Sequence, residues 1–349
     1  MLQMENHTGF APMIHVLPDR DAVDTLFVVV RGAFTLAAAP GLCDVQPPPL
    51  AADVYWGQPD SSSLKYAADV HVGKVGTDVA LVGTAHAPRG RAVTEMLASV
   101  SVAGRRKVVR VVGDRTWRGV VGGATPPAPF VSMPLIYERA FGGRDEAGEV
   151  LPAGRAGADS VAAEERNPVG VGFRALRRLR WGAGVRLPNL EDPNRAWRTL
   201  GDRPPPASFG LVAPSWQPRR AFAGTYDDAW TRQRAPFLPR DFDLRFGNAA
   251  SAGLTFDDGL HGGEPIGLDG VSREGRLQSA IPRLRPRVDV IVAGRRETPP
   301  VRLETVLIEP DEHRLSLTWR AALRCDKRAL KLERIHVREE DEPCRAASS

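Results

Sequence analysis

The chain is short of several residue types and motifs, and each shortage closes a class of function. It has three cysteines in 349 residues, Cys43, Cys325 and Cys344, far apart and odd in number. No zinc spacing or disulfide framework can be written from them, and a reducing cytoplasm is the expected compartment. The seven histidines, at positions 7, 15, 71, 86, 261, 313 and 336, form no HExxH, no HxH and no His/Cys cluster. Neither a metal centre nor a cofactor is expected. There is no Gly-x-Ser-x-Gly elbow and no GxxxxGK[ST] loop, so the common hydrolase and nucleotide-binding signatures are missing.

Lysine is scarce too: of 47 basic residues only five, at 65, 74, 107, 327 and 331, are lysine. A GC-rich coding bias accounts for this as a composition effect; bidentate recognition of carboxylate or phosphate is the functional alternative. The 42 acidic residues are interspersed with the arginines and the net charge is only +5. No basic stripe emerges, and nucleic acid is not expected as a partner. The longest apolar runs, such as residues 26–30, are far too short to span a bilayer, so no membrane role is expected. Residues 1–10 carry no basic segment followed by an apolar run, so no signal peptide is expected.

What is present is an ordinary soluble composition, 42% apolar and 26% charged, in a length that suits one large or two ordinary domains. The first third reads as β-structure. Residues 26–36 are rich in Val, Phe and Thr, and Tyr66, Ala68, Val70 and Val72 alternate with Ala67, Asp69 and His71. Val79, Leu81, Gly83 and Ala85 form a second small-to-apolar face, with hairpin-turn character at residues 73–77 between the two runs. Met96, Ala98, Val100 and Val102 oppose Val109 and Val111 across a turn at Ala103-Gly-Arg105. The last part returns to this pattern: Val288, Val290 and Val292; Val301, Leu303 and Leu307; Leu315, Leu317 and Trp319. Residues 330–337 slip phase between Leu332 and Ile335, as a bulge or helical turn would make them do. The tail after Glu339 is polar and expected to fray.

Between these ends, residues 120–265 lose periodicity and fill with Gly, Pro and Arg, yet Trp181, Trp197, Trp216, Tyr226 and Trp230 argue for order. The expected fold is mainly β, with antiparallel β-sandwich or open-barrel-like regions at both ends and a long loop-rich, partly helical middle. The corresponding divisions are residues 1–120, 121–265 and 266–349, or one continuous domain. A short helix is expected over residues 227–234.

The densest recognition chemistry lies in residues 216–250, which combine aromatics, arginines, aspartates and prolines with no histidine, cysteine or serine. Trp216, Arg219, Tyr226, Asp227, Trp230, Arg232, Arg240 and Asp241 are the candidate partner-contacting residues, because interface anchors draw on these types. The same residues would equally well pin loops to a scaffold through packing and ion pairs. The best enzyme candidate is Asp257-Asp-Gly-Leu-His261-Gly-Gly-Glu264, where Asp257, Asp258, His261 and Glu264 could serve acid–base or metal chemistry. Its plainer reading is a polar turn. His71 and His86 are expected on neighbouring strands as solvated side chains. A carbohydrate- or nucleic-acid-binding β module would rest on arginine and tryptophan content alone.

Several blocks, in order along nearly the whole chain, carry a family resemblance. They include Lys65-Tyr-Ala-Ala-Asp69, Gly83-Thr-Ala-His-Ala-Pro88, Lys107-Val-Val-Arg-Val-Val-Gly-Asp-Arg-Thr-Trp117 and Met133-Pro-Leu-Ile-Tyr-Glu-Arg-Ala-Phe-Gly-Gly143. Asn167-Pro-Val-Gly-Val-Gly-Phe173, Leu187-Pro-Asn-Leu-Glu-Asp-Pro193, Ala223-Gly-Thr-Tyr-Asp227, Leu238-Pro-Arg-Asp-Phe-Asp243 and Gly263-Glu-Pro-Ile266 follow. Together they resemble a family of large β-rich proteins encoded beside type VI secretion spike genes, those of the VgrG trimer and the PAAR-repeat tip. The resemblance implies a cytoplasmic, non-enzymatic adaptor or chaperone. Its implied partner is a secreted effector with a PAAR or PAAR-like domain, which it helps load onto the VgrG spike. The chain departs at Asn248-Ala-Ala-Ser251, where similar proteins tend to have Asn-Ala-Ala-Pro and an Asp-Gln pair.

Overall fold

The computed structural model describes residues 2–119, 122–145, 162–174 and 183–340. Trp181, Cys344 and the tail beyond residue 340 lie outside them. The fold is mainly β, with several sheets and no closed barrel among the described residues.

The central element is the strand Asp24–Thr35, whose ten inner residues are all buried. Its continuous apolar run, residues 26–30, suits a strand covered on both faces. It pairs antiparallel with Ala11–Pro18 on one side and Arg314–Arg324 on the other. The six-stranded sheet continues through Val301–Glu309 and Thr77–Leu81 to Thr255–Phe256. A five-stranded sheet runs in the order Leu190–Glu191, Arg105–Val112, Glu95–Val102, Pro265–Asp269, Leu277–Ala280. A four-stranded sheet holds Gln3–Asn6, Leu332–Glu339, Pro286–Val292 and Arg295–Glu297. Val28 and Leu317, Val100 and Ile266, and Val290 and Ile335, one pair from each sheet, belong to a single core cluster. The sheets therefore run across the divisions at 120/121 and 265/266.

The hairpin Glu95–Val102 to Arg105–Val112 forms with Ala103 and Gly104 at φ 49° and 80°, the two positive values that match a tight turn to strand twist. A 3₁₀ turn, Asp326–Lys331, precedes the last strand, and its register with Pro286–Val292 shifts by a bulge. That is the physical content of the phase slip at Leu332.

The alternation at residues 66–72 does not make the expected strand. Only Leu64–Tyr66 is extended, and it pairs with Val54–Tyr55 rather than across residues 73–77. Thr77–Leu81 instead pairs parallel with Val301–Glu309. Gly76, at φ 64°, passes so near Phe256 that a Cβ there would lie 2.0 Å from the Phe256 carbonyl oxygen. The chain crosses the sheet edge here instead of folding back as a hairpin.

Residues 50–76 are clasped onto the outer, polar face of the six-stranded sheet. A bulge between Leu303 and Thr305 frees Glu304 from the ladder and aims it at Arg320, whose Nε donates to Oε2 at 2.7 Å. Arg320 also donates to the Asp69 and His71 carbonyls at 2.7 and 3.2 Å and approaches His71 Nε2 at 2.8 Å. Lys74 donates to Asp78 at 3.2 Å and to Thr305 at 3.0 Å. Asn248 brackets Val75, accepting from its N–H at 3.1 Å and donating to its carbonyl at 2.8 Å, and donates to Asp78 at 3.0 Å. The Asn-Ala-Ala block is thereby a latch on the 73–76 crossing. His71 is no solvated strand histidine. Its side chain is 20% exposed, and burial, then the Arg320 charge, push its pKa well below the usual value. His86 is also enclosed, with Nε2 3.0 Å from Asp311.

Candidate functional site

Residues 216–250 form an ordered, mostly irregular arm rooted in the core. Trp216 is only 4% exposed and meets Tyr137 edge-on at 5.5 Å. Arg219 donates to the Val212 and Phe246 carbonyls at 2.8 Å each and lies over the Phe246 ring. Burial lowers its pKa, opposed by the nearby charges of Asp53 and Asp78. Trp216 and Arg219 thus root the arm and are corrected from partner contacts to scaffold residues. An indole and a guanidinium enter a core readily when the ring finds aromatic packing and the fork finds carbonyls.

Beyond this root the arm is braced by its own polar groups. The helix Asp228–Gln233 forms where expected, capped by Asp227, whose carboxylate accepts from the Trp230 N–H at 2.8 Å. Trp230 is half-buried, with Nε1 donating to the Phe237 carbonyl at 2.9 Å. Asp241 accepts from the Thr225 N–H and hydroxyl at 3.0 and 2.7 Å, and these bonds hold its pKa below the usual carboxylate range. Asp243 accepts from the Arg245 N–H and guanidinium and is lowered by them, while Arg245 lies over the Phe222 ring. Arg234 donates to Leu238 within the arm and to Arg20 outside it, both at 2.8 Å.

What remains outward is a small set. Tyr226 is 55% exposed and touches Trp230 edge-on at 4.8 Å. Arg232 and Arg240 are exposed, and no hydrogen bond or ion pair engages them among the described residues. Asp227 and Asp241, exposed as well, are engaged within the arm by the Trp230 N–H and by Thr225. Replacing Asp227 by Ala removes the cap, and hydrogen exchange at the Trp230 amide should report local opening made easier by about 1 kcal/mol.

The 257–264 segment behaves as a turn. Glu264 is committed to backbone, accepting from the His261 and Gly262 N–H groups at 2.7 and 2.8 Å. Asp257, Asp258 and His261 line a cleft of about 400 Å³ with Lys74, Arg285 and Glu304. No hydrogen bond joins those three side chains to one another among the described residues. Lys74 and Glu304 are already paired with Asp78 and Arg320.

A nucleophile–base combination that the sequence concealed lies elsewhere. Lys107 Nζ donates to Ser251 Oγ at 2.8 Å and to the Ala252 carbonyl at 2.9 Å, and the Tyr137 side chain lies beside Ser251. Burial, partly offset by the Asp192 charge, lowers the lysine to about 7. Ser251 is 2% exposed and Tyr137 4%. The trio thus ties the Arg105–Val112 strand to the loop after the Asn248 latch, with Ser251 and Tyr137 buried and Lys107 half-buried. Its members are 144 residues apart or 30 apart along the chain, so no local motif announces them.

The whole is a mainly β scaffold presenting a rooted loop arm. Over residues 21–320 the chain matches a family described as "Uncharacterized protein conserved in bacteria (DUF2169)". It belongs to that family. No curated protein and no solved structure matches it. Among the described residues, no helix is long and apolar enough to cross a membrane.

Proposed function

We propose that the chain is a non-enzymatic adaptor that holds a type VI secretion effector, through its PAAR or PAAR-like domain, for loading onto the VgrG spike in the cytoplasm. The arm carries this reading. Its base is locked into the core by Trp216 and Arg219, the carboxylates of Asp227, Asp241 and Asp243 are engaged within the arm, and Tyr226, Arg232 and Arg240 are left outward. A preformed arm loses little side-chain and loop freedom on docking. Tyrosine and arginine are the residue types that concentrate binding energy. The sequence blocks that resemble the spike-associated adaptors supply the identity of the partner. The hydrolase or metalloenzyme alternative built on Asp257, Asp258, His261 and Glu264 has the cleft alone in its favour, with Glu264 already engaged by backbone.

The test is co-expression with the PAAR-carrying effector encoded beside this chain's gene, followed by affinity purification and size exclusion. A stable complex is expected. Tyr226→Ala with Arg232→Ala and Arg240→Ala should weaken it at least tenfold with an unchanged circular dichroism spectrum, since the two arginines make no hydrogen bond or ion pair among the described residues and Tyr226 gives the arm one edge-on ring contact. Full binding by the triple variant would overturn the arm as the contact surface. Absence of any complex with the unaltered chain would overturn the adaptor reading.

A further inference from the structure

The sequence shows no histidine motif, yet the four-stranded sheet gathers a ligand set from the two ends of the chain. Gln3–Asn6 pairs parallel with Leu332–Glu339, and the register sets Glu5 beside His336. His7 follows two residues after Glu5, and its N–H continues the pairing with a bond to the Val337 carbonyl at 2.8 Å. Alternate residues of a strand share a face, so Glu5 and His7 both point to the side where His336 stands.

The donors are close. Glu5 Oε2 lies 3.1 Å from His336 Nδ1 and 3.8 Å from His7 Nε2. One donor atom from each of the three residues falls within 4.8 Å of the others. Zinc bonds of about 2.0–2.2 Å in a tetrahedral arrangement hold their ligand atoms about 3.3 Å apart. Side-chain rotation of the outer histidine closes the difference. His336 Nδ1 is itself a buried nitrogen without a hydrogen-bond partner, because its approach to Glu5 lacks the angle for one. A buried imidazole nitrogen without a hydrogen-bond partner is stabilised by a metal ion as well as by such a partner. The two imidazoles are stacked 12° from parallel at 6.4 Å, so neither ring stands between the other and the carboxylate.

The surroundings complete the design. Arg334 Nε sits 3.4 Å from Glu5 Oε1, holding one carboxylate oxygen and leaving Oε2 turned to the imidazoles, as outer-shell partners of metal ligands do. The Glu5 and His7 side chains are 40% and 58% exposed and His336 13%, which leaves an approach and a fourth position for water. Two imidazoles and one carboxylate suit zinc and its first-row neighbours. Magnesium and calcium prefer all-oxygen sets.

We propose that Glu5, His7 and His336 bind one divalent transition-metal ion of the zinc class, clipping the first strand to the last. The three ligands lie outside residues 21–320, where the family match falls. The proposal is independent of the adaptor reading. It assigns the ion a structural role: the ligands are 329 residues apart at their closest in sequence between the two strands, so they meet only in the folded chain. Ion present at 100 times its Kd would raise the folding equilibrium about 100-fold.

The test uses the full, untagged chain, stripped with chelator and titrated with ZnCl₂ by calorimetry, with CoCl₂ as a spectroscopic probe. One zinc per chain with a Kd of about 1 μM or tighter is expected, and cobalt should show the intense visible absorption of a four-coordinate site. His7→Gln, at the exposed end of the strand where folding is not at stake, should weaken zinc at least tenfold. His7→Gln with His336→Gln should abolish it, and His261→Gln should leave it unchanged. No uptake at tens of micromolar zinc, or equal uptake by the double variant, would overturn the proposal.

Discussion

Glu304→Ala lowers the stability of the folded chain by about 3–5 kcal/mol in urea titration, the expected cost of stranding a buried charge. The partner left behind is Arg320, 4% exposed beneath the 50–76 segment, where Glu304 is itself 6% exposed. Its remaining contacts are the Asp69 and His71 carbonyls, the His71 ring, His15 Nε2 and the Phe27 ring face, none of which carries a compensating negative charge. Removing both charges distinguishes this from simple loss of packing. Glu304→Leu with Arg320→Met should recover most of the loss, because apolar pairs of similar volume replace buried ion pairs at little net cost. A single variant within about 1 kcal/mol of the unaltered chain would mean that water reaches the pair.

The second large effect is a pH dependence from Lys107. Its amine is lowered to about 7 by burial, with Asp192 opposing, from the ordinary 10.5. Between those values the unfolded chain holds a proton that the folded chain does not. Stability therefore rises with pH from about 7 to 10.5 as the unfolded lysine loses that advantage. Below about 7 the full penalty of burying the ammonium is present in the folded state. The rise is on the order of 4 kcal/mol across the window. Lys107→Met should lack it, so the difference between the two proteins, followed by denaturant midpoint at several pH values, isolates the lysine. A constant difference from pH 6 to pH 10 would show the amine titrating near its normal value.

Local pattern made some elements legible and distance hid others. The Glu95–Val112 hairpin could be read because alternation and an Ala-Gly turn fall within eighteen residues. The Asp227-capped helix falls where a short helix is expected from sequence. The parallel pairing of Thr77–Leu81 with Val301–Glu309 could not, because its partners are more than two hundred residues apart. The same holds for Lys107 with Ser251 and for Glu5 with His336. The 66–72 alternation misled because that segment is held through its carbonyls and polar groups by Arg320 rather than by a strand ladder, and its residues are half-buried throughout apart from the buried Asp69. Trp216 and Arg219 are open to two readings in sequence. Their types serve cores and interfaces alike, and only the carbonyls of Val212 and Phe246 decide between them.

The pairing of Asp24–Thr35 with Arg314–Arg324 has a consequence for the order of events at the ribosome. Synthesis delivers about 5–20 residues per second, so the early strand waits roughly 15–60 s for its late neighbour. Throughout that interval its buried run Leu26-Phe-Val-Val-Val30 stays available to other chains. Such long-range contacts place the protein among slow, high-contact-order folders. Nascent chains stalled short of residue 324 should accordingly aggregate or recruit folding helpers, whereas completed ones close the sheet.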